Sequence, residues 1–150
     1  MADKNVVIPI SSDHAGFKLK KYLLDNFVLE GFTLKDFGTF SEESIDYPDF
    51  IHPVASAVNR GDFEKAVIIC GSGQGANMTA NKYPAVRSAL CWNIEQAGLS
   101  RQHNNANIIA LPGRFIEFEI ALQAVYKFLT TIFEGGRHQT RVEKMTKLLH

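Results

Sequence analysis

Short apolar runs alternate along this chain with segments that have helical periodicity. A first strand is predicted at 6–10, although Pro9 within it removes one donor from the hydrogen-bond ladder. The segment 18–27 carries its apolar side chains at helical spacing, and Gly31 ends it. The alternation continues and predicts four further strands and five further helices. The strands are predicted at 32–37, 66–70, 86–91 and 107–111, and the helices at 51–60, from 76 onward, at 93–101, 115–133 and 139–149.

Alternating strands and helices are typical of a parallel sheet that is covered by helices on both faces, which is an α/β fold. Ligands of such sheets bind beyond the carboxyl ends of the strands. Polar residues collect at two of these ends, at 11–14 and at 70–75, and the polar stretch 38–49 is predicted to be a loop. No repeat or linker divides the chain, so residues 1–150 are predicted to form a single domain.

Composition narrows the classes of function. Lys and Arg together number 16, and so do Asp and Glu, so the chain has no basic field that would recruit nucleic acid. Its apolar runs are shorter than the roughly 20 residues of a membrane span. The two cysteines are too few for a disulfide scaffold, and the first residues lack the pattern of a signal peptide. We therefore expect a cytoplasmic protein without a membrane or nucleic-acid partner.

The third strand runs into the glycine-rich segment Cys-Gly-Ser-Gly-Gln-Gly at 70–75. Glycines let backbone N–H groups converge on one point, so this turn is suited to an anion. It resembles the dinucleotide fingerprint loosely, but it follows the third strand and no acidic residue ends the next strand. We therefore expect no dinucleotide. The alternative is a tight strand-to-helix turn without a ligand.

Two cysteines end predicted strands. Cys70 is either a small core residue or, because it adjoins the turn, a thiolate base. Cys91 lacks such a turn and is predicted to be a core residue. The sequence leaves a disulfide between the two open, although the expected compartment disfavours it.

Three further polar segments have both a structural and a functional interpretation. Asp13 and His14 form either a helix cap with a surface residue or an acid with an imidazole at the ligand end of the sheet. The run 101–105 is either a polar helix end or part of a site. Arg137 and Arg141 are spaced to share a helix face, which suits a phosphate, and the alternative is a solvated basic helix start. No His-x-x-x-His, Cys-x-x-Cys or acidic triplet occurs, so no metal is predicted.

Six ordered segments, spread over nearly the whole chain, together resemble the ribose-5-phosphate isomerase B family, which includes the galactose-6-phosphate isomerase subunits. The segments are SDHAGFK at 12–18, DYP at 46–48, CGSGQG at 70–75, ANK at 80–82, SRQHN at 100–104 and GGRHQTRV at 135–142. The resemblance implies a Rossmann-like three-layer α/β/α sandwich with a five-stranded parallel sheet and no dinucleotide. It also implies a homodimer or dimer of dimers with shared active sites, in which the segment 135–150 reaches the partner subunit.

The reaction that the resemblance implies is the interconversion of an aldose phosphate and a ketose phosphate through an enediolate, without a metal or other cofactor. It implies that Cys70 is the base, that Ser72 helps to stabilise the enediolate, and that His103, with Asp13, is the acid that opens the sugar ring. Some members use a glutamate from the helix after the turn, but residues 76–77 carry no carboxylate here. Substrate contacts are implied for a further set: His14, Asp46, Tyr47, Gly71, Gly73, Gly75, Asn104, Arg114, Arg137 and Arg141.

Three functions remain open at this point. The first is isomerisation of ribose 5-phosphate and ribulose 5-phosphate. The second is the same chemistry on a six-carbon sugar phosphate, such as allose or galactose 6-phosphate. The third is a non-catalytic sugar-phosphate binder, in which Cys70 would be only a core residue.

Overall fold

A computed structural model describes residues 5–147 of the chain, within which five strands alternate with six helices. The strands are β1 (Val6–Ser12), β2 (Phe32–Asp36), β3 (Ala66–Cys70), β4 (Ser88–Leu90) and β5 (Ile108–Pro112). The helices are α1 (Phe17–Asn26), α2 (Pro48–Arg60), α3 (Gln74–Ala80), α4 (Ile94–Asn104), α5 (Phe118–Thr130) and α6 (Arg137–Thr146). The strands form one parallel sheet in the order β2-β1-β3-β5-β4, which confirms the predicted α/β fold.

Two hydrophobic layers cover the two faces of the sheet. Because side chains alternate along a strand, Val67 and Ile69 of β3 join the layer formed with α1, α4 and α5. Ala66, Ile68 and Cys70 face the opposite layer, formed with α2 and α3. Every residue of β3 and β5 is buried, as expected for inner strands of a sheet that is covered on both sides.

The chain changes direction across the sheet between β1 and β3. From β1 it passes to β2 on one side, and then returns to β3 on the other side of β1. The loops after β1 and β3 therefore leave the sheet in opposite directions and open a crevice between them. Such a crevice at the carboxyl ends of parallel strands is the usual ligand site of an open α/β sheet.

The structure departs from the predicted boundaries in places that have a physical reason. β1 continues to Ser12, so the two serines predicted to follow the strand are buried within it. Pro9 is tolerated because β1 pairs with β3 only from Ile10 onward, so its missing N–H breaks no bond on that side. The edge strand β4 is shorter than predicted, whereas α4 extends three residues beyond the predicted end and includes Asn104.

Three other helices also differ from their predicted bounds. α2 begins at Pro48 and α6 at Arg137, both earlier than predicted, because proline suits a first helical turn and the glycine pair at 135–136 reverses the chain. α5 is shorter than the predicted span. The predicted end of the last helix, at 148–149, lies outside the described residues. None of the described helices has both the length and the apolar character to cross a membrane.

Candidate active site

A cavity of about 450 Å³ occupies the crevice at the carboxyl ends of β1 and β3, and we call it the carboxyl-edge cleft. Eight of the residues predicted from the sequence line it: Asp13, His14, Tyr47, Cys70, Gly71, Ser72, Gly75 and Arg114. They come from four separate segments of the chain. The fold therefore brings together a thiol, a carboxylate, an imidazole, two hydroxyl groups and a guanidinium.

The two thiols lie in different environments. Cys70 ends β3, faces the α2 and α3 layer, and lines the cleft. Cys91 lies in the core on the opposite face of the sheet, where burial raises the pKa of its thiol to about 11. Both thiols are free, and their placement on opposite faces is incompatible with the disulfide that the sequence left open. The prediction of Cys91 as a core residue is confirmed.

The turn after Cys70 needs glycine because other parts of the chain approach it closely. Gly73 has a φ of +77°, and a Cβ there would collide with Leu90 and lie 3.2 Å from the backbone of Leu111. A Cβ on Gly75 would lie 2.5 Å from Cζ of Tyr47, so the absent side chain leaves room for that ring in the cleft. Gly73 shapes the turn and is not part of the cleft lining, so its predicted substrate contact stays a prediction.

The backbone of the same turn is bound to the loop that follows β5. The carbonyl oxygens of Cys70 and Gly71 accept hydrogen bonds of 2.9 Å from the N–H groups of Gly113 and Arg114. These bonds fix Arg114 at the rim of the cleft, where its side chain is exposed. The wall of the cleft is therefore built from backbone, with a cation at its edge.

The loop after β1 supplies the second wall. Asp13 Oδ1 accepts a hydrogen bond of 2.9 Å from the N–H of Gly16, which is itself the N-cap residue of α1. Asp13 therefore holds the turn before the helix and lines the cleft, but it does not cap the helix as predicted. The backbone N–H of Ile45 donates to Nδ1 of His14 over 3.2 Å. Because Nδ1 accepts, a neutral His14 ring carries its proton on Nε2, where it can donate to an oxygen.

A buried lysine, which the sequence analysis missed, holds the loop that leads to Tyr47. Lys20 is 1% exposed, and its ammonium group donates to the carboxylate of Asp36 and, over 2.6 Å, to the carbonyl oxygen of Thr39. Asp36 also accepts a hydrogen bond of 2.8 Å from the N–H of Gly38. The signal was present in the sequence, since a lysine at a buried helix position, between Leu19 and Leu23, requires a partner.

A second group of residues lies elsewhere, and we call it the amino-edge cluster: the predicted residues His103, Asn104, Arg137 and Arg141, together with His138. The first two are in the last turn of α4, which agrees with the polar helix end that the sequence offered as one interpretation of this run. A helix that connects parallel strands runs back across the sheet, so this end of α4 lies at the amino edge, opposite to Cys70. Asn104 accordingly lines a different cavity, of about 610 Å³.

The other members of the amino-edge cluster belong to α6, which packs against α4. The rings of His103 and His138 stack with their centroids 4.4 Å apart and an angle of 11° between their planes. Burial lowers the pKa of His138, and the positive charges of His103, Arg137 and Arg141 lower it further. Arg137 and Arg141 are four residues apart on this helix and exposed, as the spacing predicted.

The described residues include one group of three with metal-ligand side chains, formed by His103, Glu134 and His138. Their ligand atoms lie within 4.8 Å of one another. No short sequence pattern reveals this group, because one ligand comes from α4 and the other two from the start of α6 and the segment before it. Asp46, a predicted substrate contact, is exposed and lies outside the lining of the cleft.

Comparisons with known proteins identify the family of this chain and support its fold. A family described as Ribose/Galactose Isomerase matches residues 8–145. The ribose-5-phosphate isomerase B of Escherichia coli K12 is 40% identical over 141 residues, which cover 94% of this chain and 95% of that protein. Two solved structures are also similar. A ribose 5-phosphate isomerase from Thermotoga maritima has a TM-score of 0.91 at 43% identity, with 95% of this chain and 99% of that one covered. The ribose-5-phosphate isomerase B of Mycoplasma genitalium, solved with bound ribulose-5-phosphate, has a TM-score of 0.87 at 39% identity, with 94% of each chain covered.

Proposed function

Because this chain belongs to the ribose/galactose isomerase family, we propose that it interconverts ribose 5-phosphate and ribulose 5-phosphate through an enediolate. The observation that carries the proposal is the carboxyl-edge cleft, in which the Cys70 thiol stands beside a glycine turn, an acid and a hydroxyl group. The similar Mycoplasma genitalium protein was solved with ribulose-5-phosphate bound, which supports a pentose phosphate as the substrate.

In the proposed mechanism, the Cys70 thiolate removes the proton from C2 of the open-chain aldose. The electrons of that bond form the C1–C2 double bond of the enediolate, and the electrons of the C1–O1 double bond move onto O1. The thiol then returns its proton to C1 while the O2 hydroxyl loses its proton to form the C2 carbonyl, and O1 gains a proton in exchange. Negative charge develops on the substrate oxygens, where the Ser72 hydroxyl and the backbone N–H groups of the turn 71–75 stabilise it. A preorganised donor of this kind contributes about 3–4 kcal/mol in comparable sites.

Binding at the other end of the sugar positions these atoms. We assign phosphate recognition to His14 and Arg114 in the cleft and to Arg137 and Arg141 of the amino-edge cluster, since guanidinium groups match phosphate geometry. Tyr47 contacts the sugar in this proposal. Because the phosphate is remote from C1 and C2, its binding energy can be used to hold the reacting carbons against the thiolate.

The acid that opens the furanose ring is assigned to His103, with Asp13 in support and Asn104 as a contact to the sugar. Within one chain, His103 and Cys70 lie at opposite edges of the sheet, which the length of β5, about 16 Å, separates. One small sugar phosphate cannot contact both edges of the same sheet. We therefore infer that the amino-edge cluster of one chain completes the cleft of another, in a homodimer or dimer of dimers.

A six-carbon substrate is the second candidate, because the matching family description names galactose as well as ribose. The first experiment measures initial rates of chelator-treated protein on ribose 5-phosphate, allose 6-phosphate and galactose 6-phosphate. We expect the highest kcat/KM for ribose 5-phosphate. A higher value for a hexose phosphate would reassign the substrate, and binding without turnover on all three would make the chain a sugar-phosphate binder.

A further inference from the structure

Two histidines of the amino-edge cluster form, together with the neighbouring Glu134, a set of groups that can coordinate a metal ion. His103, Glu134 and His138 offer two imidazole nitrogens and one carboxylate oxygen, all within 4.8 Å of one another. Nε2 of His138 lies 3.5 Å from Oε1 of Glu134, and the two imidazole rings stack at 4.4 Å. No part of the proposed isomerase mechanism uses Glu134.

The backbone holds this triad together. The N–H of Glu134 donates to the carbonyl oxygen of Gln102 over 3.0 Å, which ties the segment before α6 to the end of α4. Gly135 and Gly136 have φ values of +69° and +56°, so the chain reverses there and returns His138 to Glu134. A hydrogen bond of 3.0 Å from the N–H of His138 to the carbonyl oxygen of Gly135 closes the turn. The three ligands therefore come from a connected backbone arrangement.

We infer that His103, Glu134 and His138 form a binding site for a divalent transition-metal ion such as Zn²⁺. Two imidazoles and one carboxylate are a common protein ligand set for such ions, with water in the remaining position. Bonds of about 2.0–2.2 Å require the ligand atoms to move closer together than they are. Glu134 is exposed and His103 half-buried, so both side chains can rotate toward His138.

The charged residues around the three ligands favour Zn²⁺ over Mg²⁺ and Ca²⁺. Arg137 and Arg141 project from the helix that carries His138, and their charges oppose any cation. Mg²⁺ and Ca²⁺ bind mainly through oxygen ligands and charge attraction, and this site offers one carboxylate. Zn²⁺ also bonds imidazole nitrogen, so it overcomes this repulsion where the harder ions do not.

Metal binding at this position has a consequence that rests on the proposed function. If His103 donates the proton that opens the sugar ring, a metal ion bound to its imidazole nitrogen takes the place of that proton, so His103 can no longer act as the acid. Zn²⁺ then acts as an inhibitor of the isomerase, and a chelator restores the activity. The three residues therefore form an inhibitory metal site that acts through the acid His103.

The test is a titration of the full-length chain with Zn²⁺ in competition with a chromophoric zinc indicator. Wild type is compared with Glu134→Gln, His138→Gln and the control His52→Gln, whose ring lies on α2 and contacts Tyr83 instead. We expect one Zn²⁺ per chain for wild type and His52→Gln, binding weaker by about tenfold or more in the other two variants, and no competition from Mg²⁺. Because Glu134 is exposed, its variant reports ligand loss without a large folding defect.

Equal affinity in all four proteins would overturn the proposal, and so would zinc binding that is lost in Cys70→Ser but kept in His138→Gln. Activity is a separate measurement. If Zn²⁺ inhibits wild type and inhibits Glu134→Gln more weakly, the inhibitory role is supported. Full activity of the zinc-loaded enzyme would overturn that role. If the chain showed no isomerase activity at all, the titration would still decide whether the metal site exists.

Discussion

The carboxyl-edge cleft and the amino-edge cluster carry the two halves of the predicted site, and they are built differently. The cleft is made largely of backbone: a left-handed Gly73, carbonyl groups bonded to the loop after β5, and an Asp13 side chain bonded to the N–H of Gly16. The cluster consists of side chains on two helices, and its Arg137 and Arg141 are exposed.

This difference indicates which half of the predicted site a single chain forms by itself and which half we expect to need a second chain. Backbone geometry is determined by the fold of a single chain, so the thiol and its glycine turn are formed without a partner. Exposed arginines bind an anion well only where further groups and a dry surface surround it. The cluster is therefore the half that we expect a second copy to use.

The largest expected effect separates the cleft thiol from the core thiol. Replacing Cys70 by Ser removes the proposed base, so we expect kcat to fall by about 10²–10⁴-fold. Cys91→Ala, which alters a buried thiol on the other face of the sheet, should keep kcat within about twofold of wild type. Initial rates on ribose 5-phosphate measure both. If Cys70→Ser remained active, Cys70 would not be the base and would be only a core residue.

Mixing two inactive variants tests whether the two edges belong to one site in different chains. Cys70→Ser and His103→Gln are each expected to be nearly inactive. In a mixed dimer, one site receives both defects and the other receives neither. Random reassembly of equal amounts should therefore restore about a quarter of wild-type activity. Refolding the variants together, with each variant refolded alone as the control, measures this. A mixture no more active than its components would place both groups in a single chain.

The glycine turn is tested through stability. Gly73→Ala combines a left-handed backbone with a collision against Leu90, and we expect a loss of about 3 kcal/mol in the free energy of unfolding. Gly61→Ala is the matched control, because its φ is +86° but nothing lies within 4 Å of the added Cβ. It should cost about 1 kcal/mol. Urea unfolding monitored by circular dichroism measures both, and equal losses would mean that packing around the turn contributes nothing.

The smallest effect concerns the support of the cleft. Lys20→Met leaves the Asp36 carboxylate without its buried partner, so we expect a loss of about 2 kcal/mol and a raised KM as the loop toward Tyr47 loosens. Lys18→Met is the control, because Lys18 is 75% exposed and its nitrogen lies 3.7 Å from Glu42. It should change stability by about 0.5 kcal/mol or less. Similar effects of the two substitutions would show that Lys20 does not anchor the loop.

Much of this molecule follows from local patterns in its sequence. The strand at β3 matches its predicted bounds, because a run of five buried apolar residues before glycine leaves little choice of structure. The glycine turn, the adjacent thiol and the Asp-His pair were also recognised, since neighbours in sequence carry those signals. The ends of helices such as α4 were less certain, because tertiary packing against α5 and α6 lets the helix run on through His103.

The tertiary structure decided what no local pattern contains. The strand order puts the loops after β1 and β3 side by side, although more than fifty residues separate them. It also puts His103 at the edge opposite to Cys70, and it assembles His103, Glu134 and His138 from distant parts of the chain. The sequence by itself determined which elements form and which residues can carry chemistry. Which of those residues meet was decided by the fold, because long-range contacts depend on how complete elements pack and not on the spacing of neighbours.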